Sequence, residues 1–291
     1  MVCFYPRRAP MIGGPKNIGY TPCGQCLACR INYRRVWTGR QLLEADGQSS
    51  WFVTLTYDNE HLPEVVQKRE IQLFMKRIRK NTGIKLRYMA CGEYGDKYGR
   101  PHYHLNLFGY KPDAYFIWQR NKNGKLVQIM QDRNIKKAWQ DRGFHTIDCF
   151  TDSRASYVAS YVLKKMKEKE DLEHPTFSLQ SRKPGLGAEK FLKFCTTKKM
   201  TRWLAANPQT AEVPRVFERE NKFWPVGHYL RKYVHEHTGI PFQAEIPVVV
   251  IVGQEKLKER YENPQKSDKL CQIMRDKQKD YHQRKKSTAH V

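Results

Sequence analysis

The sequence predicts an α+β fold, an antiparallel sheet with helices on one face. Three observations carry that prediction. Residues 51–57 and 100–109 alternate apolar and polar side chains at the two-residue period of a half-buried strand. Residues 67–82 instead place Ile71, Phe74, Met75 and Ile78 on one helix face. The segment Gly92-Glu-Tyr-Gly-Asp-Lys-Tyr-Gly-Arg100 is short and turn-rich, so the strands on either side of it are antiparallel.

The elements follow in order. Little regular structure is expected before Cys29. A helix from Leu27 to about Ala45 carries Arg30, Arg34, Arg35 and Arg40. The strand Trp51–Tyr57 puts Phe52, Thr54 and Thr56 on one face and Trp51, Val53, Leu55 and Tyr57 on the other. Gly83 ends the helix 67–82, and Lys85–Glu93 is the next strand. The segment Arg100–Gly109 is a strand with His102, His104 and Asn106 on one face and Tyr103, Leu105 and Leu107 on the other. A helix over about 133–140 and a strand over 143–150 come next. Asp152 or Ser153 can then cap a helix of about 154–169. The order β-α-β-β-α-β-α leaves the second sheet face free for a ligand. After residue 170 the pattern weakens into short helices, Pro-bearing connectors and a charged tail that holds Arg284-Lys285-Lys286. Three regions result: a cysteine-rich basic segment (1–45), a central domain (46–170) and a basic, mostly helical C-terminal region (171–291).

The chain has 291 residues and a formal net charge of +24. Such an excess of Lys and Arg fits a polyanionic partner, nucleic acid ahead of an acidic membrane. The longest apolar run, Ile246–Val252, is strand-sized, and no segment reaches the length of a transmembrane span. The first residues lack the apolar stretch of a signal peptide. A reducing cytoplasm is therefore the expected setting, with the eight cysteines as thiols or metal ligands.

His102 and His104 point the same way and can offer two imidazoles to one divalent ion. Glu93, one turn away, is the nearest carboxylate for a third ligand. That set leaves open positions for water and a scissile phosphate. Two solvent-facing histidines on an ordinary strand are the plainer alternative. In Tyr157-Val-Ala-Ser-Tyr-Val-Leu-Lys-Lys165, Tyr157 and Tyr161 lie four apart on a helix, with Lys164 beside Tyr157 and Lys165 beside Tyr161. Phenols and an ammonium on one face suit attack on a phosphodiester. The alternative is an amphipathic helix whose tyrosines pack on the sheet.

Cys23, Cys26 and Cys29 form C-x-x-C-x-x-C, with Cys3 available as a fourth ligand for structural Zn²⁺. An iron–sulfur cluster and free thiols are the alternatives. The remaining cysteines are scattered. Thr54 and Thr56 share a face from which they can contact a DNA backbone, support the metal ligands, or pair across strands. Trp37, Trp139, Trp203 and Trp224 are either core or base-stacking residues.

Three of these segments occur in a familiar order. Phe52–Tyr57, the Pro-His-Tyr-His-Leu strand and the Tyr-x-x-x-Tyr-x-x-Lys helix resemble the motifs of HUH endonucleases. Pro22-Cys-Gly-Gln-Cys-Leu-Ala-Cys-Arg30, Gly92-Glu-Tyr-Gly95 and Arg100–Gly109 resemble more closely the replication initiators of Microviridae phages, in the gokushovirus branch. The resemblance covers roughly residues 20–170. Tyr103 stands where the family has an aliphatic residue between its histidines.

The resemblance implies a palm-like sheet backed by helices and a rolling-circle initiator that nicks single-stranded origin DNA. The two histidines would bind Mg²⁺ or Mn²⁺. A tyrosine would form a 5′-phosphotyrosine link and release a 3′-OH for a host polymerase, and a second tyrosine would serve strand rejoining. Carried over, the nucleophiles are Tyr157 and Tyr161, with Tyr161 first because Tyr161-Val-Leu-Lys164 fits the single-tyrosine pattern, and Lys164 is the motif lysine. Thr54, Thr56, Arg100 and Lys165 are the candidate DNA contacts. Host polymerase and helicase are the expected protein partners, and the host bacterial cytoplasm the expected location. The rivals are a transposase or mobilisation nuclease with the same chemistry, and a non-catalytic, zinc-stabilised binder of single-stranded nucleic acid.

Overall fold

Five antiparallel strands build the central sheet, and its two faces are covered by different helices. The computed structural model describes residues 3–5, 7–10, 18–95, 98–120, 123–164, 176–208 and 211–242, with the side chains of 7–10, 18–20 and 162–164 left undescribed. In chain order the elements are β1 (Arg7–Pro10), β2 (Ile18–Thr21), α1 (Leu27–Ala45), β3 (Ser50–Thr56), α2 (Lys68–Thr82), β4 (Arg87–Tyr94), β5 (Pro101–Phe108), β6 (Ala114–Arg120), β7 (Leu126–Asp132), α3 (Arg133–Trp139), β8 (His145–Cys149), α4 (Asp152–Lys164), β9 (Phe177–Gln180), α5 (Ala188–Cys195), α6 (Lys198–Ala206), β10 (Val216–Arg219), β11 (Lys222–Pro225) and α7 (Gly227–Thr238). The sheet order is β8-β3-β5-β4-β9. No helix among the described residues is long and apolar enough to cross a membrane.

Alternation decides which side chains go to which face. Val53, Leu55, Tyr103, Leu105 and Leu107 point to one side, where they are buried against Ile71, Phe74, Met75 and Ile78 of α2 and Ile135, Ala138 and Trp139 of α3. Each large apolar side chain buried there is worth roughly 1.5–3 kcal/mol. Gly83 stops α2 in the left-handed conformation, and its N–H reaches Arg79 O. Asp132 caps α3 by accepting from the Ile135 N–H at 2.8 Å.

The opposite face is not free, contrary to the expectation. Phe52, Met89, Cys91 and Phe108 pack there against Trp37 of α1 and Val158, Ala159 and Tyr161 of α4. Gln41 of α1 ties these layers together. Its amide donates to Ala155 O of α4 at 2.9 Å, and its carbonyl accepts from Asn106 of β5 at 2.7 Å. The helices leave open only the end of the face that carries His102, His104 and Glu93.

Four further differences from the sequence expectation have physical reasons. Residues 114–132 form a hairpin, β6–β7, that stands apart from the central sheet. Phe116 and Trp118 are exposed on it, so it lacks the buried face that alternation detects. The pair β1–β2 lies where little regular structure was expected. Thr151 rather than Asp152 or Ser153 caps α4, accepting from the Arg154 N–H at 3.3 Å. Phe177–Gln180, beyond residue 170, supplies the fifth strand by pairing with β4. The elements that follow build a third core around Phe191, Leu230 and Val234 on Leu43 of α1.

Candidate functional site

Strand register brings the candidate ligands together. Glu93 of β4 lies directly opposite His102 of β5, and on the other flank Thr54 of β3 lies opposite His104. The alternation that points Tyr103 into the core turns both histidines outward onto the α4 side. There Glu93 Oε1 is 3.1 Å from His102 Nε2 and 2.7 Å from His104 Nε2. One ligand atom from each of the three lies within 4.8 Å of the others.

The second ring nitrogens fix the ring orientations. His102 Nδ1 is 3.0 Å from Arg100 O. A carbonyl oxygen only accepts, so Nδ1 carries the proton, and in the neutral ring the Nε2 lone pair faces Glu93. Two acceptors at that distance need a cation between them, either a proton or a metal ion. His104 Nδ1 is 3.0 Å from Thr54 Oγ1, and the ring stacks on Phe52 with centroids 5.3 Å apart. Burial would raise the Glu93 carboxyl. Hydrogen bonds from His102, His104 and Tyr157 outweigh it and hold the group at about 2. Two imidazoles and a buried ionised carboxylate, each ring braced through its other nitrogen, suit a divalent cation.

Helix α4 lays its tyrosines beside this set. The Tyr157 hydroxyl donates to Glu93 Oε1 at 2.5 Å, and the Tyr161 hydroxyl donates to that of Tyr157 at 3.1 Å. Their exposures differ: Tyr157 is 41% exposed and Tyr161 only 4%. Lys164 ends the same helix, with only its backbone described, and Lys165 lies outside the described residues.

The segment that holds this geometry has known relatives. Residues 50–166 match the family model of replication-associated protein ORF2. That segment belongs to the replication-associated protein family. The chain is 36% identical over 162 residues to replication-associated protein ORF2 of Spiroplasma virus 4, a match spanning 51% of this chain and 49% of that protein. It is 33% identical over 185 residues to replication-associated protein VP4 of Bdellovibrio phage phiMH2K, covering 60% and 58% of the two chains. It is 30% identical over 209 residues to replication-associated protein ORF4 of Chlamydia phage 1, covering 68% and 52%. The chain spans about half the length of these curated relatives. No solved structure matches it.

Within this replication-associated domain the other candidate residues fall as follows. The Thr54 hydroxyl supports His104, and the Thr56 hydroxyl donates to Phe144 O at 2.8 Å, so both serve the sheet and its ligands. Arg100 lies at the rim, held by Asn59 Oδ1 at 2.9 Å and Tyr57 O at 3.0 Å. Trp37 and Trp139 are buried in the two cores, while Trp203 is exposed. Cys3, Cys23, Cys26 and Cys29 converge as a second group able to hold a metal ion. Phe52, which lies against both His104 and Tyr157, was not singled out from sequence. Its place on the Thr54 face was the available signal.

Proposed function

We propose that the chain initiates phage DNA replication as a divalent-metal-dependent nickase of single-stranded origin DNA. One observation carries this reading: a tyrosine hydroxyl, two imidazoles and a carboxylate converge at the open end of one sheet face. Membership of the domain in the replication-associated family and the net charge of +24 support it.

Glu93, His102 and His104 would hold Mg²⁺ or Mn²⁺. Such an ion polarises a phosphate oxygen and stabilises the charge that builds on it. Tyr157 is the residue proposed to attack first, in place of Tyr161, because its hydroxyl borders the ligand set and is open to solvent. Its oxygen forms a bond to phosphorus as the bond from phosphorus to the 3′ oxygen breaks. The phenol loses one proton and the 3′ oxygen gains one, so no co-reactant is consumed. A carboxyl held at about 2 is far too weak a base to take the proton of a free phenol near 10. Glu93 therefore orients the Tyr157 hydroxyl, and the proton leaves as the new bond forms. The phosphotyrosine link conserves the phosphodiester, so reversal rejoins strands. Tyr161, one turn behind, is placed for the second cut, and Lys164 closes that helix. Arg100 and Lys165 belong to the same proposal as backbone contacts. Host polymerase and helicase are the proposed partners, in the host cytoplasm.

The chemical ends of the product test the reading. The nicked strand should carry a 3′ end that a polymerase extends and a 5′ end that stays blocked until the protein is digested. A 5′ phosphate open to exonuclease without digestion would point to simple hydrolysis and overturn the proposal.

A further inference from the structure

We propose that Cys3, Cys23, Cys26 and Cys29 form a structural tetrathiolate zinc site, separate from the histidine centre. The four sulfur atoms come from two chain segments and lie within 4.8 Å of one another. Cys26 Sγ is 3.9 Å from Cys3 Sγ, and Cys23 Sγ is 4.0 Å from Cys29 Sγ. Four ligands set tetrahedrally around zinc at about 2.3 Å stand about 3.8 Å apart. The observed spacings fit that arrangement. They are far longer than the ~2.05 Å of a disulfide, and all four thiols are free.

The surroundings favour thiolate over thiol. Backbone N–H groups point at three of the sulfurs: Phe4 at Cys26 (3.4 Å), Cys23 at Cys3 (3.2 Å) and Cys26 at Cys23 (3.3 Å). Such donors stabilise negative charge. Cys26 is also the N-cap of α1 and makes no side-chain cap bond, so its sulfur is available to a ligand. The positive end of the helix dipole adds to the effect. A polynuclear iron–sulfur cluster spreads its four cysteines around a larger core than one ion does, so sulfurs this close select a single metal.

The site has a structural consequence. It joins residues 3–5, which have little else to bury, to the first turn of α1. That helix then carries Gln41, which links β5 to the tyrosine helix. A metal at one end of α1 thus clamps the support on which α4 rests.

The test is elemental analysis of the full chain after dialysis against EDTA, which strips a loosely held ion from the histidine centre. One zinc per chain should remain. It should persist in the His102→Ala/His104→Ala variant and in Cys149→Ser, and fall to background in Cys3→Ser. Replacement by Co²⁺ should give thiolate-to-cobalt charge-transfer absorption and the visible bands of a tetrahedral site. That readout uses the unaltered chain, so it holds even if a cysteine variant fails to fold. Folded protein without zinc, a stoichiometric iron content, or zinc retained in Cys3→Ser would each overturn the proposal. None of these outcomes depends on whether the protein nicks DNA.

Discussion

Tyr157 donates its hydroxyl to Glu93 at 2.5 Å, on the same carboxylate oxygen that faces both histidines. One oxygen thereby links the proposed nucleophile to the proposed metal ligands. Helix α4 achieves this because it lies across the sheet with Val158 and Ala159 buried below it. Any change that rotates or lifts α4 separates the tyrosine from the ligand set without touching either.

Thr54→Val should weaken divalent-metal binding by about 10–100-fold, the usual cost of losing a partner that orients a ligating histidine. The substitution keeps the side-chain volume and removes only the hydroxyl that holds His104 Nδ1. Titration with Mn²⁺ followed by its paramagnetic resonance would measure it. Thr56→Val, whose hydroxyl bonds Phe144 O instead, should leave the affinity unchanged.

Tyr161→Phe should cost about 1 kcal/mol of stability, the typical worth of one internal hydrogen bond. The ring stays buried in the α1/α4 core, while its bond to Tyr157 is lost. Denaturant unfolding checks the magnitude. The variant should still form the first covalent DNA link, and a loss of that link with the fold intact would assign the first attack to Tyr161.

His145 predicts an acid-sensitive contribution to stability. The ring is buried beside Asp132, and burial pushes its pKa below the ordinary 6.5. In the unfolded chain it takes up a proton near 6.5; in the folded chain it resists to lower pH. The contribution is therefore present above about pH 6.5 and is lost as the pH falls toward the folded value. Urea midpoints compared between the wild type and His145→Gln should converge as the pH drops from 7.5 to 5. Curves that stay parallel would contradict this.

Gly143→Ala should destabilise the fold by about 3 kcal/mol or more, from overpacking combined with backbone strain. Gly143 has φ +148°, and an added Cβ would sit 2.4 Å from Thr56 O. The clash falls where the loop before β8 crosses β3, close to the histidine strand. Thermal unfolding would show it. A variant as stable as the wild type would mean the crossing is looser than described.

The core strands and helices were legible because each shows one clear period. Helix α1 runs from Leu27 to Ala45, as its sequence suggests, and β5 carries both histidines on one face as alternation requires. Glu93 was legible as the third ligand because a tight turn joins its strand to theirs. The hairpin β6–β7 was not, since its exposed Phe116 and Trp118 break the link between apolar residues and burial. Helix spacing put Tyr157 and Tyr161 on one face but could not say which is buried. That depends on how α4 sits on Phe52 and Trp37, a tertiary matter. The covered second sheet face was hidden for the same reason: α1 precedes the sheet in sequence and gives no local sign of where it docks.

The most direct test mixes the protein with end-labelled single-stranded DNA tiling the phage genome, with Mn²⁺ or with EDTA, and resolves the products on a denaturing protein gel. The account predicts a labelled covalent adduct with one tile, formed only with Mn²⁺, absent in Tyr157→Phe and in His104→Ala, and retained in Tyr161→Phe. An adduct that survives in Tyr157→Phe, forms in EDTA, or fails to form with any tile would contradict it.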